Sequence, residues 1–291
     1  GLAGHRLKHE LDLPLVTTFH TFARVKSLGG DVESPIRDKS ELEIIGCADA
    51  IMVSCTEEQA QFQSLYGSAP GAIEVLAPGV ERAFFSPGDR RGARHALGLG
   101  SGPMLLFVGR IQPLKGLDVA VRTLAELGRI DAQLIVVGGA SGVEGAIELA
   151  RVEALIQELG LVGRVKFYEP QPHHLLSTFY RAADVVLVPS RSESFGLVAL
   201  EAAACGIPVV ATAVGGLMNL IEDGKTGFLV PGRDVEGFAR FTRRLLDDSL
   251  LAISMGTAAA HRAQSYSWKS AALKARSVYT ELLERDLVAC S

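Results

Sequence analysis

Four charged residues stand out by type and spacing. Arg110 and Lys115 lie in Gly109-Arg110-Ile111-Gln112-Pro113-Leu114-Lys115-Gly116, and Glu193 and Glu201 lie in Ser192-Glu193-Ser194-Phe195-Gly196-Leu197-Val198-Ala199-Leu200-Glu201. Each pair follows a run that reads as a strand. Two cations neutralise a diphosphate and a carboxylate accepts hydrogen bonds from ribose hydroxyls, so together they point to a pocket for a nucleotide sugar. Each residue also has a plainer reading. A lone Lys or Arg in such a loop is usually solvated, but the shared edge and the rigid Pro113 move this pair towards phosphate binding. Glu193 alone reads as an acid at a helix N-terminus, where the macrodipole is worth about 0.3–1 kcal/mol. Glu201 sits among Leu197, Val198, Ala199, Leu200 and Ala202 to Ala204. An unpaired buried carboxylate there is costly, so it needs a hydroxyl-rich ligand or a basic partner, with a core ion pair as the structural alternative.

The elements that must position these residues are regular from Met104 onward. The pattern predicts strands at 104–108, 133–137, 164–167, 184–188 and 207–211, alternating with helices at 116–128, 146–159, 173–182 and 196–205. Such alternation argues for a doubly wound parallel sheet. In that architecture ligands sit beyond the carboxyl ends of the strands, where helix N-termini present free N–H groups. Arg110 and Lys115, the glycines 138, 139 and 142, Glu193, and Gly215-Gly216 all fall on that edge. A short strand at Gly227 to Val230, helices near 235–247 and 250–264, and an amphipathic helix from about Trp268 to Leu287 follow.

The N-terminal part is less complete. Leu2 to Leu11 reads as the tail of an amphipathic helix, and the chain starts at Gly1 without an initiator Met, so the N-terminus reads as cut. Leu13 to Phe19 is a β-branched and apolar run, expected as a buried strand ending in His20-Thr21. A helix is expected over 34–48, a strand at Ala50 to Val53, a capping box at Ser54-Cys55-Thr56-Glu57 opening a helix to about Tyr66, and a strand at Ala72 to Leu76. Pro78-Gly79, Ser86-Pro87-Gly88 and Gly98 to Gly102 punctuate a stretch with little apolar periodicity, which reads as a linker.

With 291 residues, 48% of them apolar, the chain can bury a large core and favours two compact units. A net charge of −4 gives no support for nucleic-acid binding. Cys47, Cys55, Cys205 and Cys290 show no CxxC spacing and are too few to staple a chain of this size, which points to a reducing cytoplasm. The most apolar stretch, roughly 195–218, carries Glu201, Pro208 and several glycines and does not read as a membrane span. No metal site is expected: His5 and His9, and His173-His174, read as solvated surface. Gly138-Gly139-Ala140-Ser141-Gly142 fails the G-x-G-x-x-G fingerprint, and Gly224-Lys225-Thr226 lacks the earlier Walker glycine, where Asn219 stands, so both read as turns. His20 closes a strand, with a satisfied core histidine as the alternative.

These residues resemble the retaining glycosyltransferases of family 4, which have the GT-B fold of two Rossmann-like domains. Gly109-Arg110 with Lys115-Gly116, Glu193 and Glu201 as E-x7-E around Ser194-Phe195-Gly196, Cys205-Gly206-Ile207-Pro208-Val209-Val210 with Gly215-Gly216, and Asp223-Gly224-Lys225-Thr226-Gly227 occur in the family's order. The resemblance implies that residues 1–85 are a truncated N-terminal, acceptor-side domain lacking the family's first strands and glycine-rich acceptor loop. Residues 86–102 are then the linker, 103–265 the donor-nucleotide domain, and 266–291 a helix returning to the N-terminal domain.

The family's roles put Arg110 and Lys115 on the donor diphosphate, Glu201 on the ribose hydroxyls and Glu193 on the donor sugar. Backbone N–H groups from Phe195, Gly196, Leu197 and Val198, with Ser194 beside them, meet sugar and phosphate. Thr18-Phe19-His20-Thr21 resembles the segment whose histidine lies beside the reacting sugar, and Arg37 matches an arginine that binds the acceptor phosphate in members using phosphorylated acceptors.

Thr17 to Lys26, Arg110 to Lys115 and the Ser-Glu-Ser-Phe-Gly stretch are most similar to the D-inositol-3-phosphate N-acetylglucosaminyltransferases of mycothiol synthesis, with sucrose-phosphate synthase-like enzymes close behind. The resemblance implies a UDP-sugar donor, a small hydroxylated acceptor that is phosphorylated in some members, no separate cofactor, and room for a homodimer. It also implies same-face attack, in which a leaving-phosphate oxygen takes the acceptor proton. Two rivals remain: a non-catalytic UDP-binding module, and an NAD-dependent oxidoreductase, which lacks its fingerprint here.

Overall fold

The computed structural model describes residues 1–28 and 33–290. They form two compact units: Gly1–Gly79 with Tyr266–Ser291, and Val80–Ser265.

The first unit runs α1 (Leu2–Leu11), β1 (Val16–Thr18), α2 (Ala23–Leu28), α3 (Pro35–Cys47), β2 (Ala50–Val53), α4 (Thr56–Tyr66) and β3 (Ala72–Val75). Its three strands are parallel in the order β1-β2-β3. The central strand β2 is buried at all four positions, as its continuous Ala-Ile-Met-Val run requires. β1 is shorter and less buried than the expected strand from Leu13. It pairs only with β2 among the described residues, so Val16 and Thr17 are half-buried and Thr18 is exposed. The helix-opening signal is shifted by one residue. Cys55 is the N-cap, its sulfur accepting from the Glu58 N–H, while the Glu58 carboxylate accepts from the Ser54 N–H and hydroxyl. That is the reciprocal pattern of a capping box with Glu58 in place of Glu57.

The second unit runs α5 (Arg90–Ala96), β4 (Met104–Val108), a 3-10 turn (Pro113–Lys115), α6 (Leu117–Glu126), β5 (Gln133–Val137), α7 (Gly142–Glu158), β6 (Val165–Tyr168), α8 (His173–Ala182), β7 (Val185–Val188), α9 (Leu197–Ala204), β8 (Val209–Thr212), α10 (Gly216–Leu220), β9 (Gly227–Val230), α11 (Val235–Asp247) and α12 (Ser249–Ala263). The chain then returns to the first unit with α13 (Trp268–Leu282), whose Val278 and Leu282 pack with Ala50 and Met52 of β2. The six strands are all parallel, ordered β6-β5-β4-β7-β8-β9. Strand order therefore reverses between β4 and β7, and this switch point is where open α/β sheets bind ligands. One core cluster joins β4, β5, β7 and β8 to α6, α7 and α11.

The stretch expected as a structureless linker contains α5. Asp89 caps it by accepting from the N–H groups of Arg91 and Gly92, and Arg90 and Arg94 both bind Asp184 at the start of β7. No helix of the described residues is long and apolar enough to cross a membrane.

The cysteine expectation is corrected, and the histidine one in part. Cys47 and Cys290, 243 residues apart, are joined in a disulfide; His9 is exposed as expected, whereas His5 is half-buried with Nε2 3.1 Å from Cys47 Sγ. The cause is one buried carboxylate. Asp49 pairs with the buried Lys8 of α1 at 2.7 Å and accepts from the N–H groups of Leu15 and Val288, at 2.6 Å each. It thus draws α1 and the C-terminal segment to the end of α3. Burial alone would raise the Asp49 pKa, but these three donors outweigh it and hold the carboxyl below its ordinary value.

Asp49→Ala leaves the Lys8 ammonium buried without its counter-charge. It is expected to cost about 3–5 kcal/mol in urea unfolding, followed at Trp268, the chain's single tryptophan and a residue of this unit.

Candidate functional site

The site is built by two loops at the switch point. β4 and β7 are hydrogen-bonded neighbours, Leu105 with Val185 and Leu106 with Val186, so the loops that leave their carboxyl ends must lie side by side. The first carries Arg110 and Lys115, the second Glu193. They are locked together by backbone contacts. The Arg191 N–H donates to the Leu114 carbonyl at 2.8 Å, and Gly116, at φ 70°, leaves no room for a Cβ, which would stand 2.2 Å from the Pro189 carbonyl oxygen. Both the left-handed backbone and the close approach require glycine there.

Across this seam the Lys115 ammonium donates to Glu193 Oε2 at 2.7 Å, and the Ser190 hydroxyl donates to the same oxygen at 3.2 Å. Lys115 and Glu193, read from the sequence as separate diphosphate and sugar groups, are thus partners. Arg110 is exposed and makes no hydrogen bond or ion pair among the described residues, so its guanidinium is available to an anion.

The second loop is also held from the β8 side. The Gly216 N–H donates to the Glu193 carbonyl at 2.9 Å, and Cβ atoms at Gly215 and Gly216 would stand 2.1 Å from that oxygen and 2.4 Å from the Phe195 Cα. The two glycines expected at the ligand edge therefore support the Glu193 to Phe195 backbone directly. Beyond it α9 starts at Leu197 after Gly196, whose φ is 102°, and no side chain caps it. Its first-turn N–H groups, including those of Leu197 and Val198, are the orphan donors that an anionic ligand satisfies. Ser194 precedes them, and Phe195 is buried beneath the loop.

Glu201 lies one turn further into α9 and is half-buried. Within the chain its partner is not the basic group of the core ion-pair alternative. The fully buried Tyr180 of α8 donates its hydroxyl to Glu201 Oε2 at 2.7 Å, and Oε1 has no partner among the described residues. Burial pushes the Glu201 carboxyl above its ordinary value, opposed by the Tyr180 hydrogen bond and by nearby His173. Tyr180 was not legible as a site residue, because its position in Leu175-Leu176-Ser177-Thr178-Phe179-Tyr180 reads simply as core.

A third loop adjoins the first. Gly138, at φ 153°, would place a Cβ 1.9 Å from the Gly109 carbonyl oxygen, and Ile111 bridges to Ala140. Gly138 therefore lets the β4 and β5 loops touch. Asp118, in the first turn of α6, is buried and paired with Arg233 and Arg151, which ties that turn to the β9–α11 loop and to α7. Gly224-Lys225-Thr226 is turn chemistry: the Thr226 hydroxyl accepts from the Glu222 N–H, and Lys225 pairs with Glu222.

His20, Thr21 and Arg37 belong to the first unit. His20 is exposed just beyond β1, which removes the core alternative. Arg37 donates to the Thr21 carbonyl at 2.8 Å and to its hydroxyl at 3.2 Å, so the two residues expected on the acceptor side are brought together. Arg37 is also paired with Glu33 and Glu41.

Because burial raises the Glu201 carboxyl in the folded state, that state keeps the proton to a higher pH than the unfolded chain. Glu201's contribution to stability therefore falls as pH rises from the ordinary carboxylate value through the raised one. Urea unfolding across that window is expected to show a shallower decline for Glu201→Gln than for the parent. At neutral pH, Tyr180→Phe is expected to lose about 1–3 kcal/mol, the cost of a deleted hydrogen bond to a charged group.

The glycosyl transferases group 1 family matches residues 89–262. The D-inositol 3-phosphate glycosyltransferase of Acidothermus cellulolyticus is 44% identical over 97% of this chain, and the chain spans 65% of that relative's length. Among solved structures, a sucrose-phosphate synthase from Thermosynechococcus elongatus superposes with a TM-score of 0.88 at 33% identity, over 97% of this chain and 71% of that one. Anabaena HepE, in complex with UDP and glucose, shares the fold with a TM-score of 0.86 at 22% identity, over 98% of this chain and 75% of its own.

Proposed function

Since the chain belongs to the group 1 glycosyl transferases and has their GT-B fold, we propose that its second unit holds the UDP-sugar donor of a retaining, family 4 hexosyl transfer. The observation that carries this reading is the Lys115–Glu193 seam at the switch point, flanked by exposed Arg110 and the uncapped start of α9.

The chemistry follows from what each group has left to give. An ammonium has three donors; Glu193 takes one from Lys115, and the others can reach phosphate oxygens without breaking the pair. Arg110 supplies a forked cation to the same diphosphate. The N–H groups from Gly196 to Val198 face the developing negative charge, where a fixed dipole stabilises the leaving phosphate. The vacant Oε1 of Glu201 accepts from a ribose hydroxyl, and the vacant oxygen of Glu193 from a hydroxyl of the sugar. Glu193 is engaged by Lys115 and Ser190 and is poorly placed to serve as a nucleophile of its own. Attack by the acceptor hydroxyl on the face the phosphate leaves, with a phosphate oxygen taking the proton, matches that arrangement. The protein then acts by positioning and charge stabilisation.

The donor is a UDP-hexose, glucose or N-acetylglucosamine. The acceptor is 1D-myo-inositol 3-phosphate or a near analogue, as in the Acidothermus relative. Within the first unit, Thr21 and Arg37 are the acceptor-side residues, and His20 takes the part of the family's catalytic histidine. Such chemistry belongs in the cytoplasm, where nucleotide sugars are made.

Calorimetry is expected to find one UDP per 291-residue chain. In the full-length enzyme, Arg110→Ala or Lys115→Ala is expected to lower kcat/KM by about 3 kcal/mol, roughly 100-fold. Near-normal turnover in either variant would sink the assignment, and UDP binding without transfer by the full-length protein would leave only a nucleotide-binding module.

A further inference from the structure

Four side chains able to ligate a soft cation converge in the first unit, and none of them is given a role in sugar transfer. His5 and His9 project from successive turns of α1, Cys47 ends α3, and Cys290 comes from the segment after α13. Their ligand atoms all lie within 4.8 Å of one another. His5 Nε2 is 3.1 Å from Cys47 Sγ and 3.0 Å from His9 Nε2, and His9 Nε2 is 3.9 Å from Cys47 Sγ. Bond lengths of zinc to nitrogen and sulfur set ligand separations of about 3.4–3.8 Å around a tetrahedral ion. The observed N···N and N···S distances differ from these by a few tenths of an ångström.

Two further observations point the same way. His5 Nδ1 faces Glu43 Oε1 at 3.3 Å. A proton held on Nδ1 by that carboxylate leaves the Nε2 lone pair directed at Cys47 and His9, which is the carboxylate–histidine arrangement that orients metal-binding imidazoles. The frame is rigid as well. Asp49, two residues after Cys47, holds Lys8 of α1 and the N–H of Val288, two residues before Cys290, and the Lys8 ammonium also donates to the Cys47 carbonyl at 2.9 Å. A single buried carboxylate thereby fixes all three segments that carry the four ligands.

We propose that in its dithiol form this cluster is a tetrahedral Cys2His2 site for Zn2+, formed by His5, His9, Cys47 and Cys290. A phosphine, as in the test below, attacks the disulfide and is oxidised with one water to its phosphine oxide, so the S–S bond takes up two electrons and the water's two protons and opens to two thiols. Each thiol gives its proton to solvent as its sulfur bonds the metal, and two thiolates then neutralise the cation. Borderline-soft sulfur and imidazole donors in a closed four-ligand set select zinc over magnesium or calcium and suit a structural ion. The disulfide and the metal are alternative ways of pinning the C-terminal segment to α1 and α3, and a reducing compartment favours the metal.

The test uses the 291-residue chain, stripped of metal, reduced with a phosphine and titrated with Co2+. One equivalent is expected to give the intense visible bands of tetrahedral cobalt together with thiolate charge-transfer absorption, both lost when Zn2+ is added. The same chain with its disulfide intact is expected to show neither. The His5→Ala/His9→Ala chain is expected to bind more than about 100-fold more weakly, beyond the cost of losing an outer partner alone. A pale octahedral spectrum or no uptake by the reduced parent, equal uptake by the oxidised chain, or undiminished affinity in the double variant would overturn the proposal. The first and second comparisons need no substitution, so a folding defect cannot produce them, and none depends on UDP or on sugar transfer.

Discussion

The contact between Lys115 and Glu193 is the constraint on which the ligand edge of the second unit's sheet is organised. A parallel sheet whose strand order reverses between β4 and β7 must bring two loops together at one edge. Left alone, a cation on one and a carboxylate on the other would each carry a desolvation cost in a half-buried seam. Paired at 2.7 Å they offset it, and the seam closes tightly enough that Gly116 has no space for a Cβ against Pro189. Gly215 and Gly216 then close on the second loop from the other side, so the Glu193 to Phe195 backbone is supported by both of its neighbours.

In the proposed reading this arrangement lets a pocket for a charged ligand stay folded without it. Lys115 is neutralised by Glu193, Glu201 is satisfied on one oxygen by Tyr180, and of these four charged residues Arg110 alone stands exposed without a partner among the described residues. The groups that remain unpaired, two ammonium donors, one oxygen on each carboxylate and the first turn of α9, are the ones the proposed reading assigns to the diphosphate, the sugar and the ribose. In that reading the preorganised donors need no rearrangement as charge develops on the leaving phosphate.

Much of the second unit was legible in the sequence, for a physical reason. Strands buried on both faces must be continuous apolar runs, and Met104–Val108, Gln133–Val137 and Val185–Val188 are such runs. Because parallel strands present all their carboxyl ends on one edge, the loop positions of Arg110, Lys115 and Glu193 followed from the strands, and Glu201 from the helix after the second loop. What could not be read were partners that meet only on folding. Lys115 and Glu193 are 78 residues apart, and Tyr180 and Glu201 are 21 apart. The helix α5 escaped notice because its seven residues lack an apolar face and are held by Arg90 and Arg94 on Asp184, 94 and 90 residues away. The Cys47–Cys290 pairing and the histidines against it depend on Asp49 gathering both ends of the chain, and no local pattern announces that.

A crystal structure of the chain with UDP is the decisive test of the proposal that the β4–β7 switch point holds the donor diphosphate on Arg110 and Lys115 and the ribose on Glu201. The expected result is the diphosphate against Arg110, Lys115 and the first turn of α9, with ribose hydroxyls within hydrogen-bond distance of Glu201. UDP bound elsewhere, or bound with Lys115 and Glu201 both untouched, would overturn the proposed site.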